Sequence, residues 1–269
     1  MAQSQLERHY REKPADTSEL AAITERGRQI AAFDQVAWHA TDAVQAIPNS
    51  AKNVGMYIGR QSNDGWVVGF GKLNDAKDAF LLAYEAMPTG DVLHPQVITH
   101  SPVLEDRGEW LNEARAFDLA REIFGHQSRP YNGTILDGPD MSSWYVYFYP
   151  AQTTFDSFPT GADVRFRVSR DGKTILETRH MHQDILEYDT KPKGNSLTST
   201  FHTAYLDEAP EDIDVADVLM MGGTPMTIVT HTYTYRIAAD GAATYLMTTA
   251  EFFKTDEGEK YSKALKFKP

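Results

Sequence analysis

The sequence contains no cysteine. This absence excludes disulfide bonds, thiolate nucleophiles, zinc fingers and iron–sulfur clusters, all of which need a cysteine sulfur. It does not decide the compartment, because a chain without cysteine is compatible with oxidising and reducing surroundings alike. Long apolar runs are also lacking, since none approaches the ~18–20 residues that span a bilayer as a helix. The sequence therefore predicts no membrane span.

Basic residues are comparatively few. Lysine and arginine number 26 against 38 aspartates and glutamates, which gives a formal net charge of −12. An acidic surface repels phosphate backbones and anionic membranes, so we expect no binding to nucleic acid or to such membranes. The one basic cluster lies at the C-terminus, where we interpret it as a solvated tail. Its members are Lys260, Lys263, Lys266 and Lys268.

Motifs of the common enzyme classes are missing as well. The chain has no G-x-S-x-G nucleophile elbow, no Walker loop, no G-x-G-x-x-G fingerprint, no H-E-x-x-H pair and no EF-hand loop. The glycine-containing segment at 69–72 lacks the remaining features of a phosphate-binding loop. The segment at 221–225 could bind a phosphate, but we interpret it as a connection between a helix and a strand. These absences favour a protein that is not an enzyme.

The first residues bear on the compartment. Met1–Gln5 is polar, and no apolar signal-peptide core follows it. Either the chain is cytoplasmic, or a signal peptide has been removed and Met1 was added for expression. Ala2 and Gln3 suit a position at a signal-peptidase cut, so we expect export to the periplasm rather than a cytoplasmic location.

Hydrophobic periodicity predicts an α+β fold with a mostly antiparallel meander and two main amphipathic helices. The helices are expected at 16–47 and 107–124. Asp16 with Glu19, and Asp106 with Glu109, have the spacing of a capping box at the start of each helix. Strands are expected over 54–59, 66–71, 79–86, 96–100, 131–136, 144–149, 164–169, 174–188, 199–205, 226–237 and 243–253, and a short helix over 213–220.

A length of 269 residues suits one large domain or two small ones. We expect a single α+β domain with two subdomains, a helix with a small sheet over 16–102 and a helix with a larger antiparallel sheet over 103–255. The boundary is placed at the loop around Pro102, before the second helix. Residues 256–269 are interpreted as a polar tail.

Histidines are the most suggestive group of side chains. His180 and His182 are two residues apart, so on a continuous strand both side chains lie on the same face. His202 belongs to another predicted strand, and Asp214 supplies a carboxylate. Imidazole nitrogens and carboxylate oxygens are typical zinc ligands. These four residues are the candidates for a divalent metal site. We interpret them instead as half-exposed strand residues without a shared ligand and expect no cofactor, with the metal site as the alternative. Further candidates for such a site are His231, Glu177 and Asp184.

A second pattern also includes His202. The segment Phe201-His202-Thr203-Ala204 is followed by Pro210-Glu211-Asp212-Ile213-Asp214. This arrangement loosely resembles the zinc motif of JAMM-type deubiquitinating metalloproteases, which runs His-x-His, a spacer and then Ser-x-x-Asp. The resemblance implies that His202 and Asp214 are zinc ligands. It is confined to residues 201–214, and Ala204 and Glu211 stand where the family has its second histidine and its serine, so neither the family nor its activity is assigned.

Three other groups have a functional and a purely structural interpretation. Five acidic residues could bind calcium or magnesium, but we interpret them as a solvated acidic face. On the strand at 144–149, alternate tyrosines form one face, which is either a binding platform or, as we expect, part of the core. Trp38 and His39 are expected in the core. The five acidic residues are Glu208, Glu211, Asp212, Asp214 and Asp217.

Two hypotheses about function follow. The first is a non-catalytic binding or structural protein that engages another protein or a small ligand, and the absence of an intact catalytic motif supports it. The second is a metal-dependent hydrolase that uses His180, His182 and His202 with a carboxylate such as Asp214. The second hypothesis requires these side chains to converge, because the ligands of one zinc ion lie about 2 Å from it.

Overall fold

The computed structural model describes residues 8–190 and 199–266. The fold is α+β with mostly antiparallel sheets, as the sequence predicts. In chain order the helices are α1 (Thr17–Gln45), α2 (Glu109–Phe124), α3 (Asp212–Met220), α4 (Thr249–Phe252) and α5 (Asp256–Lys266), with a short 3₁₀ helix at Ser50–Asn53. The strands are β1 (Met56–Ser62), β2 (Gly65–Leu73), β3 (Phe80–Met87), β4 (Gln96–Asp106), β5 (Tyr131–Asp137), β6 (Ser143–Pro150), β7 (Ser157–Gly161), β8 (Val164–Ser169), β9 (Ile175–His180), β10 (Ile185–Asp189), β11 (Thr200–Thr203), β12 (Met226–Val229), β13 (Tyr233–Ile237) and β14 (Ala243–Thr248). Met1–Gln5 and Lys268, which enter two of the expectations above, lie outside the described residues.

Packing divides the chain into two compact units. Unit 1 comprises residues 1–31, 149–163 and 180–269, and unit 2 comprises residues 32–148 and 164–179. β4 runs without interruption through residue 103, where the sequence predicts the boundary between two subdomains. Each unit is built from separate stretches of the sequence, so neither unit is one continuous segment with a linker at its end.

The longest helix, α1, begins where the capping-box pattern places it. The side chain of Asp16 accepts hydrogen bonds from the backbone N–H groups of Ser18 and Glu19, each at 2.9 Å, and so caps the first turn. Leu20 and Ile23 pack in the core of unit 1. The helix is amphipathic, and among the described helices none combines the length and the hydropathy needed to cross a membrane.

Unit 2 contains an antiparallel meander in the order β1-β2-β3-β4 and most of a second sheet in the order β5-β6-β8-β9. Helix α2 packs with both sheets in a common core that includes Trp110, Phe117, Phe148 and Phe166. Strand β6 is buried on both faces, so its tyrosines belong to the core and form no exposed platform. Trp38 does not follow expectation: it is 54% exposed and stacks on His39.

Unit 1 contains a sheet in the order β11-β12-β13-β14 and the two-stranded β7–β10 pair. β11 and β12 run parallel, whereas β12, β13 and β14 form an antiparallel meander. Residues of α1, α3 and this sheet share one core, with Ile23, Val215 and Tyr235 among its members.

Four sequence-based expectations about secondary structure in the second half of the chain are wrong. The strand expected over 226–237 is two strands, β12 and β13, which pair antiparallel. The strand expected over 243–253 ends at Thr248, and helix α4 follows it directly. The strand expected over 174–188 is two strands, because β9 ends at His180 and β10 pairs with β7 instead of continuing β9. The polar tail expected after residue 255 contains helix α5. The buried ring of Tyr261 on this helix packs with Phe252, which the polar composition of the segment does not reveal.

Candidate metal site

Three polar side chains converge inside unit 1. His182 lies in the turn between β9 and β10, His202 lies on β11, and Asp214 lies in the first turn of α3. One donor atom of each residue lies within 4.8 Å of the donor atoms of the other two. All three residues are buried, and Asp214 has no exposed surface. The three residues lie on three different elements of the chain, so the fold brings them together.

The separations between these atoms suit ligands of one ion. Oδ1 of Asp214 lies 3.4 Å from Nε2 of His182 and 3.1 Å from Nδ1 of His202. Ligands at ~2.0–2.1 Å from a tetrahedral ion lie about 3.3 Å from one another, which matches both distances. None of the three buried atoms has a hydrogen-bond partner, because the pairs are close but poorly aligned for an N–H···O bond.

A second carboxylate orients His182. Nδ1 of His182 donates to Asp163, whose two oxygens each lie 3.0 Å away. This bond places a hydrogen on Nδ1 and turns Nε2 towards His202 and Asp214. Histidines that bind metals commonly donate their other ring N–H to a carboxylate, which fixes the ring and makes the nitrogen ligand more basic. Asp163 is completely buried, so this interaction is shielded from water.

The backbone before Asp163 has an unusual conformation. Gly161 and Ala162 have φ angles of 84° and 49°, in the left-handed region that is unfavourable for alanine. A Cβ atom at residue 161 would lie 2.3 Å from the carbonyl oxygen of Asp184, so only glycine permits the close approach of the two segments. The N–H of Met181 donates to the carbonyl oxygen of Asp163 at 3.1 Å. This tight turn holds Asp163 beside His182, and such strained turns are frequent at functional sites.

The start of helix α3 fixes the position of Asp214. Its Oδ2 accepts the backbone N–H of the N-cap residue Glu211 at 2.8 Å, which leaves Oδ1 facing the histidines. The helix itself is placed by α1, since Gly27 lies directly against it. A Cβ atom at residue 27 would lie 2.5 Å from the carbonyl oxygen of Asp212 and from Cβ of Val215. Gly27 lowers the helix propensity of α1, but the close contact between α1 and α3 requires a residue without a Cβ atom at this position.

His202 is held by the pairing of β11. In the parallel register with β12, His202 lies opposite Ile228. The hydroxyl of Tyr188 donates to the carbonyl oxygen of Phe201 at 2.8 Å and so ties β11 to β10. Burial raises the pKa of Tyr188, and the carboxylates of Asp217 and Asp214 raise it further, so the hydroxyl stays protonated and continues to donate.

The electrostatic surroundings shift the pKa values of His182 and Asp214 in opposite directions. Burial acts to lower the pKa of His182, but Asp163 and Asp214 outweigh it and raise this pKa well above the ordinary value. Burial acts to raise the pKa of Asp214, but the imidazoles of His182 and His202 lower it well below its usual range. The raised pKa means that the His182 ring holds a second proton in the absence of a metal, and a divalent cation that binds through Nε2 would have to displace this proton.

The predicted site residues have different outcomes. The structure brings His182, His202 and Asp214 together, whereas His180 lies outside the cluster. His180 is the last residue of β9 and is exposed. Because the strand ends there, the rule that alternate residues share a face does not extend to His182.

The other residues considered for this site also lie elsewhere. Glu177 lies 3.7 Å from Arg165 and from Arg167 on the neighbouring strand. Asp184 is exposed, and so is His231, which lines a small cavity of about 150 Å³ in unit 1. None of these three belongs to the three-residue cluster found within the described chain.

The expectation of a solvated acidic face is wrong. All five acidic residues of that group are buried. Asp212 forms an ion pair with Arg26 at 2.7 Å, and Glu208 accepts hydrogen bonds from the Thr230 hydroxyl at 2.6 Å and from the N–H of Thr232 at 2.8 Å. Buried charges are tolerated when they are paired in this way.

Sequence reasoning missed Asp163. Its signal is faint: an isolated carboxylate directly after Gly161-Ala162 and directly before the alternating strand β8. Nothing in the local pattern indicates that this carboxylate faces a histidine 19 residues further along the chain.

Comparison with known proteins adds no assignment: no protein-family model matches the chain, and no curated protein or solved structure is significantly similar to it. Of the residues in the short segment 201–214, His202 and Asp214 belong to the cluster. The third member is His182, far upstream in the sequence, and not the residue at 204. The function must therefore be argued from the geometry of the site.

Proposed function

We propose that this protein binds a divalent transition-metal ion through His182, His202 and Asp214. The observation that carries the proposal is the convergence of three buried donor atoms without hydrogen-bond partners. An unsatisfied buried polar atom costs about 1–3 kcal/mol, so three such atoms facing one another need a compensating charge. A cation at their centre satisfies all three.

The donor set limits the choice of metal. Two imidazole nitrogens and one carboxylate oxygen suit zinc, and the same set with open positions is typical of non-haem ferrous iron. Calcium and magnesium are disfavoured, because they prefer sites made of oxygen ligands alone. We therefore expect zinc or iron(II).

The burial of the ligands favours a binding role without catalysis. His182, His202 and Asp214 come from a turn, a strand and a helix, so an ion bound to them would cross-link three elements of unit 1. Binding of an ion to the native state alone stabilises that state. We propose that the ion stabilises unit 1, which in turn supports a non-catalytic function in binding a protein or a small ligand.

Metal analysis of the untagged protein, purified without chelator, tests this proposal. We expect a stoichiometric transition metal in the wild type, and its loss in His182→Ala and in His202→Ala. His180→Ala is the matched control, because this exposed histidine is only two residues from His182 and should keep the metal. A metal-free wild type whose melting temperature does not rise with added zinc or iron(II) would refute the proposal.

A second candidate function is metal-dependent hydrolysis. The count of three protein ligands favours it, since catalytic zinc sites have three protein ligands and a water molecule in the fourth position. In such a site the metal lowers the pKa of the bound water and supplies a nucleophile. The carboxylate of Asp163 would keep His182 oriented during such a reaction.

A screen with ester, phosphodiester and peptide substrates tests this second function. Hydrolysis should require the metal, persist in His180→Ala and disappear in His202→Ala. A metal-loaded protein without turnover, but with a raised melting temperature, would support the purely stabilising role of the ion.

A further inference from the structure

A cavity of about 840 Å³ lies within unit 2, and none of its lining residues belongs to the metal site. The end of α1, the segment before β1, the end of α2 and the start of β5 form its walls. Residues 125–130, which connect α2 to β5, contribute a further part of the lining, and most of them are exposed. Its volume lies within the range of about 300–1,000 Å³ that is typical of small-molecule sites.

Aromatic rings form much of the lining. Phe124 stacks on Phe148 with a distance of 4.8 Å between ring centroids, and it contacts Tyr131 edge-on at 4.9 Å. Phe70 and Phe148 are buried, whereas Phe124 and Tyr131 are partly exposed. This arrangement offers an apolar surface to a ligand and stabilises an apolar group by removing it from water.

The charged residues of the lining are of one sign. Arg121 and Arg129 line the cavity, and no aspartate or glutamate is among the lining residues of the described chain. This is unusual, because 38 of the 269 residues are acidic and the net charge is −12. Arg121 also pairs with Asp118 at 2.7 Å, but Asp118 does not line the cavity. The local charge of the lining is thus opposite to that of the whole chain.

We propose that this cavity binds an amphipathic monocarboxylate of the fatty-acid type. The apolar chain would lie among the rings of Phe124, Tyr131 and Phe148, and the carboxylate would lie at Arg121 and Arg129. Guanidinium groups bind carboxylates through paired hydrogen bonds, which makes arginine well suited to this head group. The proposal does not depend on the metal site, since the two sets of residues are separate.

Isothermal titration calorimetry of the full chain with decanoate tests the proposal. Decylamine has the same chain length and the opposite charge, and acetate carries the head group without the chain. We expect decanoate to bind well below the concentration at which it forms micelles, and the other two to bind far more weakly. This comparison uses the wild type alone, so it does not depend on the folding of any variant. Decylamine binding as tightly as decanoate, or no binding of decanoate, would refute the proposal.

Two variants locate the ligand. Arg129→Gln should weaken decanoate binding by about 10- to 100-fold, the loss expected for a hydrogen bond to a charged group. Arg107→Gln is the matched control, because Arg107 is an exposed arginine of the same unit that does not line the cavity. Thr41→Trp should abolish binding by filling the space beside α1. Equal affinities of Arg129→Gln and Arg107→Gln, or undiminished binding by Thr41→Trp, would place the ligand elsewhere and overturn the assignment.

Discussion

The substitution Asp163→Asn removes the carboxylate that orients His182 but keeps an oxygen that can accept the same hydrogen bond. Asparagine has nearly the same shape, and its carbonyl oxygen can still accept the N–H of Nδ1 of His182. The buried cluster would then contain one carboxylate instead of two beside a divalent cation. Loss of such a supporting group commonly lowers metal affinity by about 10- to 100-fold. We expect a loss of this size for zinc.

The expected stabilisation follows from this affinity. At a free zinc concentration 100 times the wild-type Kd, binding stabilises the native state by about 2.7 kcal/mol. A Kd that is 10- to 100-fold weaker reduces this value to about 0.4–1.4 kcal/mol at the same concentration. For a chain of this size about 1 kcal/mol corresponds to ~2–4 °C, so the wild type should gain roughly 5–11 °C and the variant roughly 1–6 °C.

Calorimetric titration with zinc and thermal melts with and without zinc measure both quantities. Asp184→Asn is the matched control, because Asp184 is an exposed aspartate only two residues from His182. It should leave both the affinity and the zinc-dependent melting shift unchanged. If Asp163→Asn binds zinc as tightly as the wild type does, Asp163 does not tune the ligand, and the reasoning from the pair of buried carboxylates is refuted.

Two further predictions concern the packing and the pH dependence. Gly27→Ala should lower the free energy of unfolding by about 1–3 kcal/mol despite the better helix propensity of alanine, and it should weaken zinc binding, because the added Cβ would displace the start of α3. Denaturant unfolding measures the first effect and zinc titration the second. An unchanged result in both would contradict the prediction. Burial raises the pKa of Glu113 from 4.5 to about 8. Between these pH values the folded chain keeps a proton on Glu113 that the unfolded chain has lost, so the free energy of unfolding falls as the pH rises through this window. Glu113→Gln should therefore make the melting temperature fall less between pH 5 and pH 8, whereas the exposed control Glu105→Gln should keep the wild-type slope.

The fold class and most elements could be predicted from local patterns. The caps and apolar spacing of α1 and α2 place these helices within a few residues of their observed bounds, and the alternation in 164–169 predicts β8. These features depend on residues near one another in the sequence. The interleaving of the two units depends on long-range packing, and no local signal in the chain carries it.

The candidate site was partly predictable for the same reason. His202 and Asp214 belong to one short segment, so their spacing alone draws attention to them. The sequence pairs His182 with His180 as candidate ligands only if both lie on one continuous strand. The strand ends at His180, and of these two histidines only His182 belongs to the cluster. The burial of Asp212 depends on Arg26, which lies 186 positions earlier in the chain, so sequence reasoning assigned this carboxylate to the surface.

The geometry of the cluster itself argues for a cation. Three local features orient the candidate ligand atoms towards one another. The left-handed turn before Asp163 orients His182, the cap of α3 orients Asp214, and the register of β11 positions His202. Without a positive charge between them, the facing lone pairs would repel. A proton on Nε2 of His182 satisfies one pair at most, because the distance of 3.4 Å to Asp214 is long and poorly aligned, and it leaves Nδ1 of His202 without a partner. A divalent ion would satisfy all three ligand atoms at once, so it would offset more of the cost of burying them than a proton does.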